Sequence, residues 1–309
     1  MVKNILRLFG TGFAMGSADI VPGVSGGTIA FILGVYEELI YSIKKVTGET
    51  LKLGLKLKIK EAIYSVPFSF LVPLGLGIVT AVLALSSILE HQLETNPVYV
   101  WSFFFGLIVA SIIIVRRRVV TWDNHDIMAL VIAAFVGFII VGMVPVATPA
   151  TLPLFFVAGM VAIVAMILPG VSGSFLLVMM GKYEQVLSAV NDHNFLVLGV
   201  IIAGAVVGIA VFSRFLSWLF DNHHDLAVSV LTGFMVGSLR KIWPWKEYGA
   251  NILPSFNNEI ALPLILMIIA AVGMLYLEKI SATAEHTKDV EDPSFTKEHK
   301  KAISSQKHR

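Results

Sequence analysis

The chain of 309 residues contains no cysteine and few charged residues. The missing cysteines exclude disulfide bonds, thiol catalysis, iron–sulfur clusters and cysteine-ligated zinc. Charged residues make up 14% of the chain, against about 25% in an ordinary soluble domain. The chain also lacks the ~10-residue alternating segments of a transmembrane β-barrel. Because 56% of the residues are hydrophobic and the mean hydropathy is +0.82, the sequence predicts an all-α polytopic membrane protein.

The positions of the histidines argue against a metal or catalytic site within the apolar segments, and the N-terminal segment argues against a cleaved signal peptide. All eight histidines fall in predicted loops or in the C-terminal tail, so we expect no metal ligand or catalytic base within an apolar segment, and no cofactor. Lys3 and Arg7 precede an apolar stretch, but glycines and Asp19 follow where a small-residue cleavage site would be expected. We therefore expect no cleaved signal peptide.

Six apolar runs are long enough to cross a bilayer, and four shorter runs flank two glycine-rich stretches. The shorter runs have about 15–18 residues, which is short for a span that rises ~1.5 Å per residue. Pro-Gly interrupts each pair, which is typical of a broken helix or a re-entrant hairpin. The predicted spans are 66–89, 98–115, 126–144, 195–219, 226–242 and 261–279, and the shorter segments are 4–18, 27–43, 152–166 and 174–190.

The two glycine-rich stretches are copies of one unit. PGVSGGT begins at Pro22 and PGVSGSF begins at Pro169, an offset of 147 residues that also aligns Gly34 with Gly181. Further along the chain the offset falls to 127, because a basic insertion at about 44–64 is present only in the first copy. The predicted units are a first repeat at 1–144, a second repeat at 145–280 and a disordered cytoplasmic tail at 281–309.

Each predicted repeat contains a re-entrant pair followed by three spans. Because the number of spans is odd, the second copy runs through the membrane in the opposite direction, and the repeats have inverted topology. With both termini in the cytoplasm, the basic stretches at 44–60 and 116–118 fall inside, as the positive-inside rule requires. Arg240, Lys241 and Lys246 would lie outside, where topology does not favour cations.

The basic insertion contains LKLGLKLKIK from Leu51, in which apolar residues alternate with lysine. A period of two fits an interfacial strand better than an amphipathic helix, whose apolar face needs spacings of three and four. We expect this stretch to contact anionic lipids of the inner leaflet.

The PGVSG loops predict an anion site. Pro-Gly ends the preceding helix, and the helix that restarts presents free N–H groups and the positive end of its dipole. Glycine allows the backbone to approach a ligand closely, and phosphate suits such a site. The alternative is that these small residues only let helices pack closely. The predicted substrate-binding residues are Gly23, Ser25, Gly26, Gly27, Thr28, Gly170, Ser172, Gly173, Ser174, Arg240 and Lys241.

Five charged residues are candidates for coupling groups or charge partners. Asp19 is an intramembrane carboxylate, which either carries a proton or pairs with an arginine, or else is a helix-end residue reached by water. Glu37 and Glu184 each follow a tyrosine, a position that also suits the membrane interface. Arg116 begins a run of three arginines that also fits a topology anchor. Lys182 is present in the second copy only.

The stretch GSADIVPGVSGGTIAFILGVYEELI, together with the second PGVSG loop, resembles the bacterial polyprenyl-phosphate (undecaprenyl-phosphate) transporters of the PopT type. The resemblance extends to about residue 280. It implies a multi-pass flippase of the cytoplasmic membrane, not an enzyme, that returns undecaprenyl phosphate from the outer to the inner leaflet for reuse in cell-wall synthesis. The phosphate would lie between the loops, and proton coupling is one option. No nucleic-acid partner is expected, and the oligomeric state stays open, with a homodimer as one alternative.

Two alternatives share parts of this site. One family of polyprenyl-diphosphate phosphatases also has inverted re-entrant loops, with a PGxSRSG motif and paired glutamates. Here Gly26 and Gly173 occupy the arginine position, and the first half contains no glutamate pair spaced by three. A transporter of a small soluble anion would use the same loops, and the sequence does not separate such an anion from a lipid phosphate head.

Overall fold

The computed structural model describes residues 2–21, 24–143, 145–146, 148–247, 250–254 and 260–291. Helices dominate these residues, and their regular strands are one short antiparallel pair, β1 (Lys246–Glu247) and β2 (Ala250–Asn251). The predicted all-α class is therefore confirmed.

The described residues of the first part of the chain form eight α-helices. They are α1 (Val2–Ile20), α2 (Gly26–Ile32), α3 (Tyr36–Lys45), α4 (Leu51–Leu55), α5 (Ile59–Ser65), α6 (Phe68–Thr95), α7 (Pro97–Val115) and α8 (Asn124–Ile140). A π-helical turn (Val46–Thr50) joins α3 to α4, and a 3-10 turn (Arg116–Arg118) follows α7.

The second part repeats much of this order. Its helices are α9 (Leu152–Ile167), α10 (Gly173–Met179), α11 (Tyr183–Asn191), α12 (Phe195–Asn222), α13 (His224–Ser238) and α14 (Ala261–Glu291). Helix α14 extends past residue 281, where the tail was predicted to begin, and the remainder of that tail, 292–309, lies outside the described residues.

The described residues include four helices that are long and apolar enough to cross a membrane, or up to five if a bent pair counts as one span. The four are α6, α7 with its following turn, α12 and the first part of α14. The other two predicted spans form shorter helices, since α8 has 17 residues and α13 has 15. These features make the chain a multi-pass helical membrane protein.

The segments predicted at 27–43 and 174–190 are not continuous, because each is broken into two short helices. The breaks contain Gly34 and Gly181, whose φ angles are 75° and 62°. Glycine adopts this left-handed conformation without the penalty that a Cβ atom causes. In the first copy the break bends the path by 115° between α2 and the helices that follow it.

The predicted strand in the basic insertion was wrong, because α4 and α5 occupy this stretch. Its side chains are mostly exposed, and no strand among the described residues lies beside it. An isolated strand would leave its backbone N–H and C=O groups without partners, whereas a helix pairs them internally. Exposed lysines on a helical turn are equally able to face a lipid surface.

The long helices form four close pairs: α1 with α6, α9 with α12, α7 with α14, and α8 with α13. Glycines allow the backbones to approach. A Cβ atom on Gly12 would collide with the carbonyl oxygen of Leu74 on α6, and one on Gly159 would collide with that of Ile201 on α12. Gly12 and Gly159 differ by 147, and Leu74 and Ile201 differ by 127, the two offsets of the repeat. Matching helices therefore touch at matching positions.

The core lies around α2, the helix that begins at the first glycine-rich loop. All seven residues of α2 are buried. The Phe31 ring packs edge-on against Tyr36 and stacks against Phe220 of α12. The non-helical backbone before α2 is therefore enclosed by protein, the condition under which such backbone is tolerated at membrane depth.

Candidate functional site

The two glycine-rich loops contact each other directly. The Thr28 hydroxyl accepts a hydrogen bond of 3.0 Å from the backbone N–H of Gly170. The Ser25 hydroxyl donates a bond of 3.3 Å to the carbonyl oxygen of Met166, at the end of α9. Both hydroxyls are buried. Thr28 and Gly170, which the sequence assigned to one site and which lie 142 positions apart in the chain, are thus neighbours in the fold.

Tyr36 adds a contact that the sequence did not predict. Its buried hydroxyl donates a hydrogen bond of 3.0 Å to the carbonyl oxygen of Ile167. The start of α3 is thereby tied to the end of α9. Tyr36 precedes Glu37, and the repeated Tyr-Glu pattern was a usable signal, although only the glutamate was assigned a role.

The first loop caps its own helix. Ser25 is the N-cap residue of α2, and its hydroxyl accepts a hydrogen bond of 3.1 Å from Gly27 N–H. The N–H of Gly26 donates to the carboxylate of Asp19 at 2.6 Å. A carboxylate is favoured at a helix N-terminus by the free N–H groups and the helix dipole. Asp19, whose side chain is exposed, therefore occupies the position where an external anion would meet the helix start.

The second loop leaves its helix start open. Ser172 is the N-cap residue of α10 but makes no side-chain bond to the helix backbone. Its hydroxyl instead pairs with that of the exposed Ser174 at 3.0 Å. Met166 stands at the position that corresponds to Asp19, and a Cβ atom on Gly173 would lie 2.5 Å from its Cγ atom. The second copy therefore presents two hydroxyls, bonded to each other, where the first has a carboxylate.

Gly170 fixes the second loop against α13. Its φ angle is 84°, and a Cβ atom there would lie 2.9 Å from the Ser238 hydroxyl oxygen and 3.0 Å from the Met235 Cα atom. Glycine is required both by the backbone conformation and by the close approach. The corresponding residue of the first loop, Gly23, was also predicted to bind substrate and lies outside the described residues.

Only one of the two predicted cations lies beside a loop helix. The Lys241 ammonium is 4.3 Å from the centre of the Phe175 ring, on the first turn of α10. Arg240 instead donates to the Phe138 carbonyl oxygen on α8 at 3.1 Å and covers the ring of the same residue. Lys246, which the sequence did not assign to the site, donates to the Lys241 carbonyl oxygen at 2.5 Å. Burial, together with the nearby Lys241 charge, lowers the pKa of Lys246 to about 8.

Lys182 is fully buried, but away from the two loops. Its ammonium donates to the carbonyl oxygens of Pro149 at 2.5 Å and Thr148 at 3.3 Å, and to the Gln185 side chain at 2.9 Å. These bonds hold the segment before α9 against the start of α11. Glu184 is exposed on α11. The structure therefore does not bring either residue to the loop contact.

Glu37 belongs to a polar cluster on the side predicted to be cytoplasmic. His224 Nε2 lies 3.5 Å from the Glu37 carboxylate, and His224 Nδ1 lies 3.3 Å from that of Asp225. Asp225 also accepts backbone hydrogen bonds from Val120 and Thr121 at 3.1 and 3.0 Å. The hydrogen bond to Glu37, which outweighs burial, raises the pKa of His224. The cluster joins α3, α13 and the link between α7 and α8.

Arg116 lines a separate cleft between α7, α8 and α13 rather than the space beside the two loops. Within the described ranges, no three His, Asp or Glu side chains are grouped so as to hold a metal ion.

Three comparisons relate the chain to known proteins. Residues 15–260 match the model of a family described as VCA0040-like, undecaprenyl phosphate translocase-like. The chain is 39% identical over 244 residues to a polyprenyl-phosphate transporter of Vibrio cholerae, and the alignment covers 79% of each chain. It is 30% identical over 301 residues to a polyprenyl-phosphate transporter of Staphylococcus aureus. That alignment covers 91% of this chain and 98% of the relative. No solved structure matches the chain.

Proposed function

From the premise that this chain belongs to the undecaprenyl phosphate translocase-like family, we propose that it carries undecaprenyl phosphate from the outer to the inner leaflet of a bacterial cytoplasmic membrane. The family and both relatives carry the names of transporters, so the chain is a transporter rather than an enzyme. The returned lipid would be reused in cell-wall synthesis.

The observation that carries the proposal is the contact between the two loops. The hydrogen bond from Gly170 N–H to Thr28 and the bond from Ser25 to Met166 bring the start of α2 against the second loop and the end of α9. The phosphate head binds there, with the exposed hydroxyls of the second loop as donors and Lys241 as countercharge. The polyprenyl tail stays in lipid. The exposed side chains of Asp19, Met166 and Ser174 mark the lateral opening.

Asp19 couples the movement to protons. While its carboxylate is ionised it holds the N–H of Gly26, and its charge repels a phosphate at the first loop. Protonation removes that charge and frees the helix start for the phosphate. The head then passes from the second loop to the first without leaving the space between them.

The pairing of helices supports two inverted repeats, at 1–144 and 145–280, as the moving halves. The pairs α1–α6 and α9–α12 match one another within the repeats. The pairs α7–α14 and α8–α13 connect the repeats. Each of these two pairs corresponds to the other when the equivalent helices of the two repeats are interchanged. Such a pseudo-two-fold arrangement lets the halves rock about a central site and expose it to each side in turn.

Transport is tested with the full chain in liposomes that contain a fluorescent polyprenyl phosphate in both leaflets. A quencher that does not cross the membrane bleaches the outer leaflet, and loss of the protected half of the signal reports movement. We expect movement of polyprenyl phosphate but not of the neutral polyprenol, because the site recognises phosphate. Absence of movement above that in protein-free liposomes would contradict the proposal.

Two further measurements separate the alternatives and identify the loop. Uptake of inorganic phosphate into the same liposomes would point instead to a transporter of soluble anions. Ser172→Ala/Ser174→Ala should slow lipid movement by about tenfold, the effect of losing one or two charge-assisted hydrogen bonds. Ser188→Ala, at an exposed position on α11, is the matched control and should leave the rate unchanged.

A further inference from the structure

A cleft of about 490 Å³ opens between the end of α7, the start of α8 and the middle of α13. The adjacent Arg116 and Arg117 form its polar end, and its apolar wall includes Ile112, Leu130 and Val236. This volume is within the ~300–1,000 Å³ of small-ligand sites. The cleft therefore combines two guanidinium groups with an apolar wall in a space that holds a headgroup and the beginning of an attached chain.

The arginines of this run are not equivalent. Arg118 donates to the Ile32 carbonyl oxygen at 3.1 Å and lies 5.4 Å from the centre of the Phe31 ring, so it supports the end of α2. Arg116 and Arg117 are exposed, and within the described part of the chain neither is bonded to a carboxylate, hydroxyl or carbonyl group. Their planar donor groups are free for a ligand that accepts paired hydrogen bonds, as phosphate does.

The chemistry of the cleft favours one class of ligand. A soluble anion would use the two arginines but leave the apolar wall in contact with water. A phosphate monoester carries about −1.5 to −2 charges at pH 7, more than the single charge of a phosphodiester headgroup, and so matches two adjacent guanidinium groups better. An apolar chain attached to that monoester would cover the wall. A polyprenyl phosphate has both parts.

Helix α13 connects this cleft to the loop contact. Thr232 and Val236 line the cleft, while Met235 and Ser238 of the same helix lie against Gly170 of the second loop. A lipid at the cleft and a phosphate at the loops would therefore touch neighbouring faces of one helix. The arginines follow α7 at its end predicted to be cytoplasmic, where a returned lipid would arrive.

We infer that the cleft is a second binding site for a polyprenyl phosphate, which holds the lipid at the cytoplasmic leaflet after it leaves the loops. The inference rests on the proposed transport function and adds to it a release site whose headgroup ligands are Arg116 and Arg117. It also gives the arginine run a role beyond fixing topology.

Binding is tested with a fluorophore at the cleft wall. Since the chain has no cysteine, Val236→Cys gives a single attachment point for an environment-sensitive dye. Val206→Cys, on the exposed face of α12, is the matched control. Both labelled full-length proteins are placed in nanodiscs and titrated with a polyprenyl phosphate. We expect a saturable change at position 236 and none at position 206.

Arginine variants then test which groups hold the head. Arg116→Gln/Arg117→Gln in the Val236→Cys background should raise the apparent Kd at least about tenfold. Arg116→Lys/Arg117→Lys keeps the charge, and with it the membrane topology, but loses the planar donor fork, so its Kd should rise less. An unchanged melting temperature shows that the variants are folded. If the labelled protein has the same Kd with Arg116→Gln/Arg117→Gln as with both arginines present, the inference is overturned.

Three further outcomes distinguish a polyprenyl-phosphate site from a phospholipid site and separate the cleft from the transport proposal. If phosphatidylglycerol at the same mole fraction gives the same signal at position 236, the cleft holds a resident phospholipid and the inference is wrong. If unlabelled protein moves polyprenyl phosphate in liposomes but position 236 does not respond, the transport proposal stands and the cleft site fails. If position 236 responds while no lipid moves, the site stands and the transport proposal fails.

Discussion

The carboxylate of Asp19 accepts a hydrogen bond of 2.6 Å from the backbone N–H of Gly26, at the start of the helix that follows the first glycine-rich loop. In the second copy Met166 takes the corresponding position, and the N-cap Ser172 leaves its helix start without a side-chain cap. One helix start of the pair thus has an anion built into the chain, and the other is open to an anion from outside.

Asp19→Asn should slow the movement of polyprenyl phosphate and remove its dependence on a pH gradient, because the variant has no carboxyl group to bind or release a proton. An asparagine oxygen still accepts the hydrogen bond from Gly26, so the fold should persist. The measurement is the rate of lipid movement in liposomes at several imposed pH differences. Glu90→Gln, at an exposed position on α6, is the control. A variant that keeps the wild-type response to the gradient would exclude Asp19 as the coupling group.

The close contact between α9 and α12 gives a prediction on stability. A Cβ atom on Gly204 would collide with the Phe156 carbonyl oxygen, whereas one on Gly199 of the same helix meets nothing within 4 Å. Gly204→Ala should therefore destabilise the protein by about 1–3 kcal/mol through overpacking. Gly199→Ala should stabilise it by about 0.5–1 kcal/mol, because alanine restricts the unfolded chain and favours the helix. Thermal unfolding in detergent compares the two, and equal melting temperatures would show that the helix contact is wrong.

His224 predicts how stability changes with pH. The hydrogen bond to Glu37 raises the pKa of this histidine above its ordinary value of 6.5. The stabilisation is therefore fully present below pH 6.5 and is lost as the pH rises through the higher pKa of the folded protein. Glu37→Gln should flatten this loss, while His91→Gln, in an exposed position on α6, should not. Melting temperatures measured between pH 5.5 and 9 check the effect, and identical profiles for the wild type and Glu37→Gln would contradict it.

Lys182 predicts the cost of losing a buried cation. Its ammonium satisfies the carbonyl oxygens of Thr148 and Pro149, and Lys182→Met would leave both without this donor. A hydrogen bond to a charged group contributes about 1.5–3 kcal/mol, so loss of the ammonium should lower the melting temperature and make protease cleavage near residue 149 faster. Lys52→Met, in the exposed helix α4, is the control. If both variants have wild-type stability and cleavage, the buried bonds do not hold this segment.

The periodicity and the repeat predicted most of the helices. The predicted span at 195–219, for example, corresponds to α12 (Phe195–Asn222). The breaks at Gly34 and Gly181 were missed because the apolar pattern continues across them, and only the left-handed backbone shows where each helix ends. The helical form of α4 was missed because alternation is a weak signal in a short exposed stretch.

The residues of the candidate site were easier to predict than their arrangement. The repeat identified Thr28 and Gly170, and the fold brings them into one hydrogen bond. The sequence did not show that Asp19 caps α2, since this requires the chain to turn back on itself between them. It also gave Arg240 and Lys241 equal weight, whereas tertiary packing turns the first toward α8 and the second toward α10.

A double-mutant cycle on the rate of lipid movement tests most directly whether the two loops share one phosphate site. Asp19→Asn changes the first loop and Ser174→Ala the second, both at exposed side chains. Ser174→Ala should lower the rate by about tenfold through loss of a hydrogen bond to the phosphate, and Asp19→Asn should lower it because the first loop loses its titratable carboxyl group. If both residues act on the same bound phosphate, their effects are coupled, and the double variant should be no slower than the slower single variant. A reduction equal to the product of the two single effects would contradict a shared site.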